Sequence, residues 1–304
     1  MRVLITGGTG TIGREVLKKL SNSVDVTLIA RNASQIVEPC YRTVTFSDVN
    51  KKNVLFEEKF DLLIHLAYDP FSWKNNLYMA KVLIDLTKKN SISKFVMASS
   101  VDVYGKQKRG CVSSLINSER PNSCYGKQKL ELETLFKNTI SKDTSLVLLR
   151  IGLVLGKNTW WDDFFFNSTL CNKLYLPNGG SNIVNYIYKE ELSEIIVGFI
   201  GTENLNSVSI VNLGMSTTFA CLYLKFNPNI AIFDDIGHLH YKEKLKLLLF
   251  SNCLLLNAIN RVKKNSNSSN NITKVEDKKC FDSIYPARNA NVYYIHHSSI
   301  DFGC

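Results

Sequence analysis

Arg2-Val3-Leu4-Ile5-Thr6-Gly7-Gly8-Thr9-Gly10-Thr11-Ile12-Gly13 stands at the head of the chain. Residues 2–5 form a short apolar stretch of strand character. Residues 14–20 (REVLKKL) space Val16, Leu17 and Leu20 at helical intervals. The stretch therefore reads as strand, glycine turn, helix. Gly7 suits a tight turn, Gly10 leaves the backbone bare for a pyrophosphate, and Gly13 lets the helix lie close to a sheet. The helix N-terminus, headed by Thr11 and Ile12, then faces the phosphates. The glycine spacing is three and three, not the two and three of the commoner dinucleotide fingerprint. An ordinary turn is the bland alternative, and the position at the first strand favours a nucleotide site.

Outward from this turn, strand and helix patterns alternate. Residues 24–30 (VDVTLIA), 43–46, 60–66 (FDLLIHL), 94–99 (KFVMAS) and 145–151 (SLVLLRI) read as strands, and residues 78–89 as a helix. Such alternation predicts an α/β fold, a Rossmann-type doubly wound parallel sheet with ligands at the carboxyl ends of its strands. A domain over 1–157 and a smaller C-terminal substrate lobe over 158–264, interleaved with it, are expected. Trp160, Trp161 and Phe164–Phe166 would pack over that lobe or form its core.

The strand ends are polar in informative places. Arg31 follows the second strand where an acidic residue would bind a ribose diol, and it suits a 2′-phosphate. A solvent-facing loop Arg is the alternative. Asp48 could accept from an adenine amino group or merely begin a turn. Leu66 and Ala67 after the fourth strand would let a cofactor lie against backbone, while His65 reads as a core histidine. The expected cofactor is NAD or NADP.

Tyr125-Gly126-Lys127-Gln128-Lys129 places a tyrosine and a lysine one helical turn apart. An ammonium there stabilises a tyrosinate, and a phenol so tuned can give and take a proton in alcohol–ketone chemistry. Alone, the spacing also describes a solvated helix face.

Together, TGGTGTIG (6–13), HLA (65–67), SSVDVYG (99–105), YGKQK (125–129), RIGLVLG (150–156), NYIYKEEL (185–192) and VNLGMSTTF (211–219) resemble extended short-chain dehydrogenase/reductases, the NAD-dependent epimerase/dehydratase family that works on nucleotide sugars. The resemblance covers roughly residues 1–222. It implies Ser100, Tyr125 and Lys129 as the catalytic set, with Lys129 also contacting the nicotinamide ribose. It matches Asn76 to the Asn that opens the helix after the fourth strand. The implied activity is hydride transfer at a carbon of a nucleotide-linked sugar, as epimerase or as NADPH-dependent 4-keto reductase. A non-catalytic NAD(P)-binding member is the alternative.

Two positions depart from the family pattern. Val101 and Asp102 replace the Asp-Glu of 4,6-dehydratases, which disfavours water elimination. Val184 and Asn185 replace the Arg-Asp of many epimerases, whose Arg grips the diphosphate; Lys157, Lys173 or Lys189 could substitute. Past residue 222 the resemblance fades. Residues 241–264 read as one helix with basic ends, over the substrate lobe or on a membrane surface. Residues 265–304, including His296, His297 and Cys304, read as a loosely ordered tail.

The net charge of +10 is spread among scattered lysines without a nucleic-acid motif, so a nucleotide-sugar partner is expected and nucleic acid is not. Eight cysteines stand singly with no C-x-x-C pair, which signals neither a metal site nor a disulfide framework. No integral membrane segment is expected. A strand starting at residue 2 points to a cytoplasmic protein, with a homodimer as a possible assembly.

Overall fold

The structure is a computed structural model that describes residues 1–20, 24–31, 41–52, 54–105, 119–168, 173–181, 183–202 and 208–234. The strands are β1 Arg2–Thr6, β2 Asp25–Ala30, β3 Arg42–Thr45, β4 Leu62–His65, β5 Lys94–Ser100, β6 Ser145–Ile151, β7 Leu153–Leu155, β8 Lys173–Leu176, β9 Ile183–Tyr188, β10 Val208–Leu213, β11 Met215–Thr218 and β12 Ala231–Asp234. The helices are α1 Thr11–Lys19, α2 Phe46–Lys52, α3 Trp73–Lys89, α4 Cys124–Thr139, α5 Trp160–Ser168, α6 Lys189–Gly201 and α7 Phe219–Phe226.

Seven strands form one sheet in the order β3-β2-β1-β4-β5-β6-β10, and every neighbouring pair is parallel. The chain winds outward from β1 to β3, then returns to the other side of β1 as β4. The seam between β1 and β4 is thus the switch point where such sheets open a crevice. Strand side chains alternate between two cores, as a period of two requires. Leu4, Leu63, Phe95 and Leu148 face the side covered by α2, α3 and α4. Val3, Ile5, Leu62, Ile64 and Val147 face α1 and α6. All four residues of β4 are buried, which explains its unbroken apolar run.

Two elements differ from the periodicity. α3 begins at Trp73, five residues before the expected start, because the Ser72 hydroxyl accepts from the Asn75 backbone N–H and caps it. The short α2 has no counterpart in the hydrophobic periodicity. It starts where a third strand was expected to end, and Thr45 and Asp48 close it reciprocally: Thr45 Oγ1 accepts from Asp48 N–H, and the Asp48 carboxylate accepts from Thr45 N–H.

A smaller unit is built on the three-stranded sheet β11-β9-β7 and the pair β12-β8. Leu153, Leu155, Phe165, Val184, Tyr186 and Leu222 belong to its core. Phe165 is fully buried between Tyr223 and a stacked Phe226. From the aromatic run, Phe165 thus belongs to this core and Trp161 and Phe164 pack against it. Between β9 and β11 the chain returns to the large sheet to supply α6 and β10. Among the described residues no helix is long and apolar enough to cross a membrane. The readings of 241–264 and 265–304 fall outside the described residues.

Candidate active site

The glycine turn sits where β1 passes into α1. Gly7 has φ +77°, and a Cβ there would lie 2.6 Å from the Ala67 nitrogen. A Cβ on Gly13 would lie 2.2 Å from the Gly7 carbonyl. These two glycines are demanded by the protein's own packing, one against the exit of β4 and one against the turn. Gly10 is different: a Cβ would meet only the Gly7 carbonyl, at 3.2 Å, and otherwise open space. Beside it lies a cleft of about 150 Å³ lined by residues that include Gly7, Gly10, Arg31, Leu66, Ala67 and Tyr68. A bare backbone at a helix N-terminus, open on the one side the fold does not need, fits a dinucleotide pyrophosphate. Thr11, in the first turn of α1, donates its hydroxyl to the Asn158 carbonyl at 3.3 Å. Ile12 is half-buried against the α1 and α6 core.

Arg31, Asp48 and Asn76 each have a protein partner in the structure. Arg31 does line the cleft, but its Nη1 is 3.0 Å from Asp69 Oδ2. Asp48 is engaged in the α2 cap, where its Oδ2 also accepts from Thr45 Oγ1 at 2.7 Å. Asn76 is buried and grips the backbone of Asp69 from both sides. Its Oδ1 accepts from Asp69 N–H at 2.7 Å and its Nδ2 donates to the Asp69 carbonyl at 2.8 Å.

Ser100 ends β5, and Lys129, a turn along α4 from Tyr125, reaches the Ala98 carbonyl of the same strand. Ser123 caps α4, accepting from Gly126 N–H at 2.8 Å and donating to the Asp102 carboxylate. A Cβ at Gly126 would lie 2.5 Å from the Asp102 carbonyl, so this glycine lets the first turn of α4 close onto the 3-10 turn Val101–Tyr104. Asp102 at this position therefore clamps a helix start. Burial raises its pKa against the opposing hydrogen bonds from Ser123 and Gly126. Ser100 is buried, and its Oγ accepts from Asp102 N–H at 3.2 Å.

Lys129 is buried beneath this turn. Its Nζ donates to the Ala98 carbonyl at 2.9 Å and lies 5.7 Å from the Tyr125 ring centre and 4.3 Å from that of Tyr68. Desolvation pushes its pKa down to about 8, with the Glu133 charge opposing the shift. Tyr68 meets Tyr125 edge to face at 5.3 Å and donates to Gln128 Oε1. Tyr68 thus joins the cleft to the Tyr–Lys pair. Its sequence signal is its place directly after Leu66 and Ala67 at the end of a buried strand. One turn below Lys129, the fully buried Glu133 accepts from Ser99 Oγ and from Arg150 Nε and Nη2. His65, between Phe95 and Phe136, shares a 2.7 Å hydrogen bond with Thr6 Oγ1. Burial first, then the Lys129 charge, lowers its pKa to about 3, so it is neutral.

At the departures from the family pattern, Val184 is core of the smaller unit and Asn185 accepts from Ser216 Oγ. Lys189 is occupied by Glu15 at 3.1 Å and by the Lys157 carbonyl. Lys157 is exposed, and the side chain of Lys173 is outside the described residues. Among the described residues no cluster of three or more His, Cys, Asp or Glu could hold a metal.

Comparison with known proteins shows the family and the fold. The chain is 26% identical over 286 residues to the uncharacterized UDP-glucose epimerase YtcB of Bacillus subtilis, covering 81% of this chain and 86% of the relative. It is 28% identical over 181 residues to the bifunctional UDP-glucose 4-epimerase and UDP-xylose 4-epimerase 1 of Pisum sativum. That match covers 49% of this chain and about half, 51%, of the pea protein. The solved UDP-glucose 4-epimerase of Thermotoga maritima shares the fold, with a TM-score of 0.61 at 19% identity over 75% of this chain and 82% of that one. The sequence model of the NAD dependent epimerase/dehydratase family matches residues 3–214. That span runs from the glycine turn through the Tyr–Lys pair to the end of the large sheet, and the chain belongs to this family.

Proposed function

We propose that the protein carries out NAD-dependent redox chemistry at a hydroxyl-bearing carbon of a nucleotide-linked sugar, with 4-epimerisation as the net reaction. The observation that carries this reading is the Tyr125–Lys129 pair, seated at the end of β5 beside a glycine-floored cleft. Family membership and the UDP-sugar epimerases among the relatives support it.

A bound nicotinamide dinucleotide supplies the hydride acceptor and donor. Gly7, Gly10, Gly13 and the head of α1 would hold its pyrophosphate, and Leu66 and Ala67 would give it a smooth backbone wall. Tyr125, as phenolate, takes the proton of the sugar hydroxyl and returns it in the reverse direction. The ammonium of Lys129, one turn along α4, would attract that phenolate and, as the family resemblance implies, contact a ribose hydroxyl of the dinucleotide. Ser100, whose Oγ accepts from Asp102 N–H, can donate its own O–H to the sugar oxygen as it becomes a carbonyl. Epimerisation needs one proton-handling group that works in both directions without net consumption, and the tyrosine–lysine pair is such a group. The Asp102 clamp on Ser123 leaves no dehydratase-type acid free at this place.

The test is incubation of the purified protein with UDP-glucose and detection of UDP-galactose by NMR. Tyr125→Phe is expected to lower the rate by about 100-fold or more with an unchanged melting temperature. Equal rates in the two proteins would remove Tyr125 from the chemistry. A wild-type protein that interconverts no nucleotide-sugar epimers would refute the reaction.

A further inference from the structure

The Arg31–Asp69 pair ties the end of β2, where Arg31 lines the cleft, to the loop after β4. Arg31 is the half-exposed partner, with 42% of its side chain accessible, whereas Asp69 is almost enclosed at 7%. Asp69 is no incidental surface anion. Its Oδ2 also accepts from Asn75 Nδ2 at 2.9 Å and its Oδ1 from Phe71 N–H at 3.0 Å. Asn76 locks its backbone on both sides. Burial opposes its ionisation, but these hydrogen bonds and the Arg31 charge outweigh burial and hold the carboxyl below its ordinary range. The carboxylate is therefore held by its own loop independently of Arg31, and Arg31 is the more exposed partner.

We propose that Asp69 is a specificity-determining residue that tunes this cleft to NAD against NADP by neutralising Arg31. The inference rests on the dinucleotide reading of the cleft given above. A lone arginine at the end of β2 would attract a 2′-phosphate. Paired with Asp69 it carries no net charge, and a phosphate dianion approaching the guanidinium also meets a buried carboxylate. NAD, which has only hydroxyls at that ribose, is spared this opposition. Asn76 then acts at one remove, by holding Asp69, rather than by touching the cofactor. The assignment also bears on the reaction. An epimerase recycles its dinucleotide and has no need of the reduced phosphorylated form, whereas Arg31 by itself would have suggested an NADPH-consuming reductase.

Isothermal titration of the purified full chain with NAD⁺ and with NADP⁺ tests this without any sugar substrate. Asp69→Asn keeps the shape and an acceptor for Phe71 N–H while removing the charge. It is expected to tighten NADP⁺ by roughly tenfold or more and to change NAD⁺ by less than about twofold. In the double variant with Arg31→Ala, the gain should vanish, which separates release of Arg31 from disturbance of the loop. Weaker NADP⁺ binding in Asp69→Asn would show that Asp69 presents Arg31 to the phosphate, and would overturn the inference. An unchanged ratio of the two affinities, or equal shifts for both, would also overturn it while leaving the cleft a dinucleotide site. Binding of neither dinucleotide to any form would overturn both readings.

Discussion

Lys129 shows what a single residue costs and provides. Its ammonium is buried against the Ala98 carbonyl beneath two aromatic rings, an arrangement that favours a nearby phenolate at the expense of folding. Its pKa falls from 10.5 in the unfolded chain to about 8 in the fold. Between these values the unfolded chain binds more protons than the native one, so stability rises as pH climbs through the window from 8 to 10.5. Below pH 8 the charged form costs about 3 kcal/mol. Lys129→Met should therefore melt at or above the wild-type temperature at pH 7, lose the pH-dependent gain between 8 and 10.5, and lose activity. Calorimetry across pH with parallel assays reads all three, and a marked fall in melting temperature would contradict the assignment of cost. Spacing together with the neighbouring motifs points to this pair. What spacing could not announce is the burial that perturbs it, because burial depends on β5 and the loop carrying Tyr68.

At the scale of elements, α4 is set by its first turn. Ser123 caps the helix and is tied in turn to Asp102, while Gly126 allows the helix backbone to press on the Asp102 carbonyl. The glycine of Tyr-Gly-Lys is thus a packing requirement on the face turned towards β5, one position along from Tyr125. Gly126→Ala would place a methyl group 2.5 Å from a backbone oxygen that has no free side chain to swing away. It should cost about 1–3 kcal/mol of stability and displace Tyr125, seen as lost activity and a lower denaturation midpoint. An unaltered midpoint would show that the two turns are not in the contact described. Strands and the glycine turn were legible because apolar runs and glycines act locally. The start of α3 and the whole of α2 were less so, since serine and threonine caps carry no hydrophobic period. The Asp48 reading illustrates the limit: an acid three residues after a threonine serves equally as a cap or a ligand until the neighbouring backbone is known.

On the scale of the whole molecule, the β1–β4 seam is where stability and function coincide. Thr6 and His65 face each other in register across it, and their hydrogen bond lies directly under the loop that carries Ala67 and Asp69. His65 is neutral in the fold, with a pKa of about 3 against an ordinary 6.5. As pH falls below 6.5 the unfolded chain gains a proton that the native one resists, so stability declines as pH drops towards 3. By pH 4 the loss from this residue is about 3 kcal/mol. Acid titration of unfolding should show this limb, and His65→Gln should flatten it, whatever that variant does to stability at neutral pH; an identical slope in the variant would place the acid sensitivity elsewhere.

The alternation of strand and helix and the order of motifs along the chain dictate the doubly wound sheet, because connectivity and handedness leave few other ways to bury so many two-sided strands. The glycine turn and the Tyr–Lys pair are likewise local statements, written within a dozen residues each. Partnership is different in kind. Asp69 captures Arg31 from 38 positions away, Glu133 lies beneath Lys129 with Arg150 across from it, and Lys189 is spent on Glu15. Charges interact through space and exclude one another's alternative partners. Only the assembled fold decides which arginine is free to meet a phosphate and which lysine is left to serve a tyrosine.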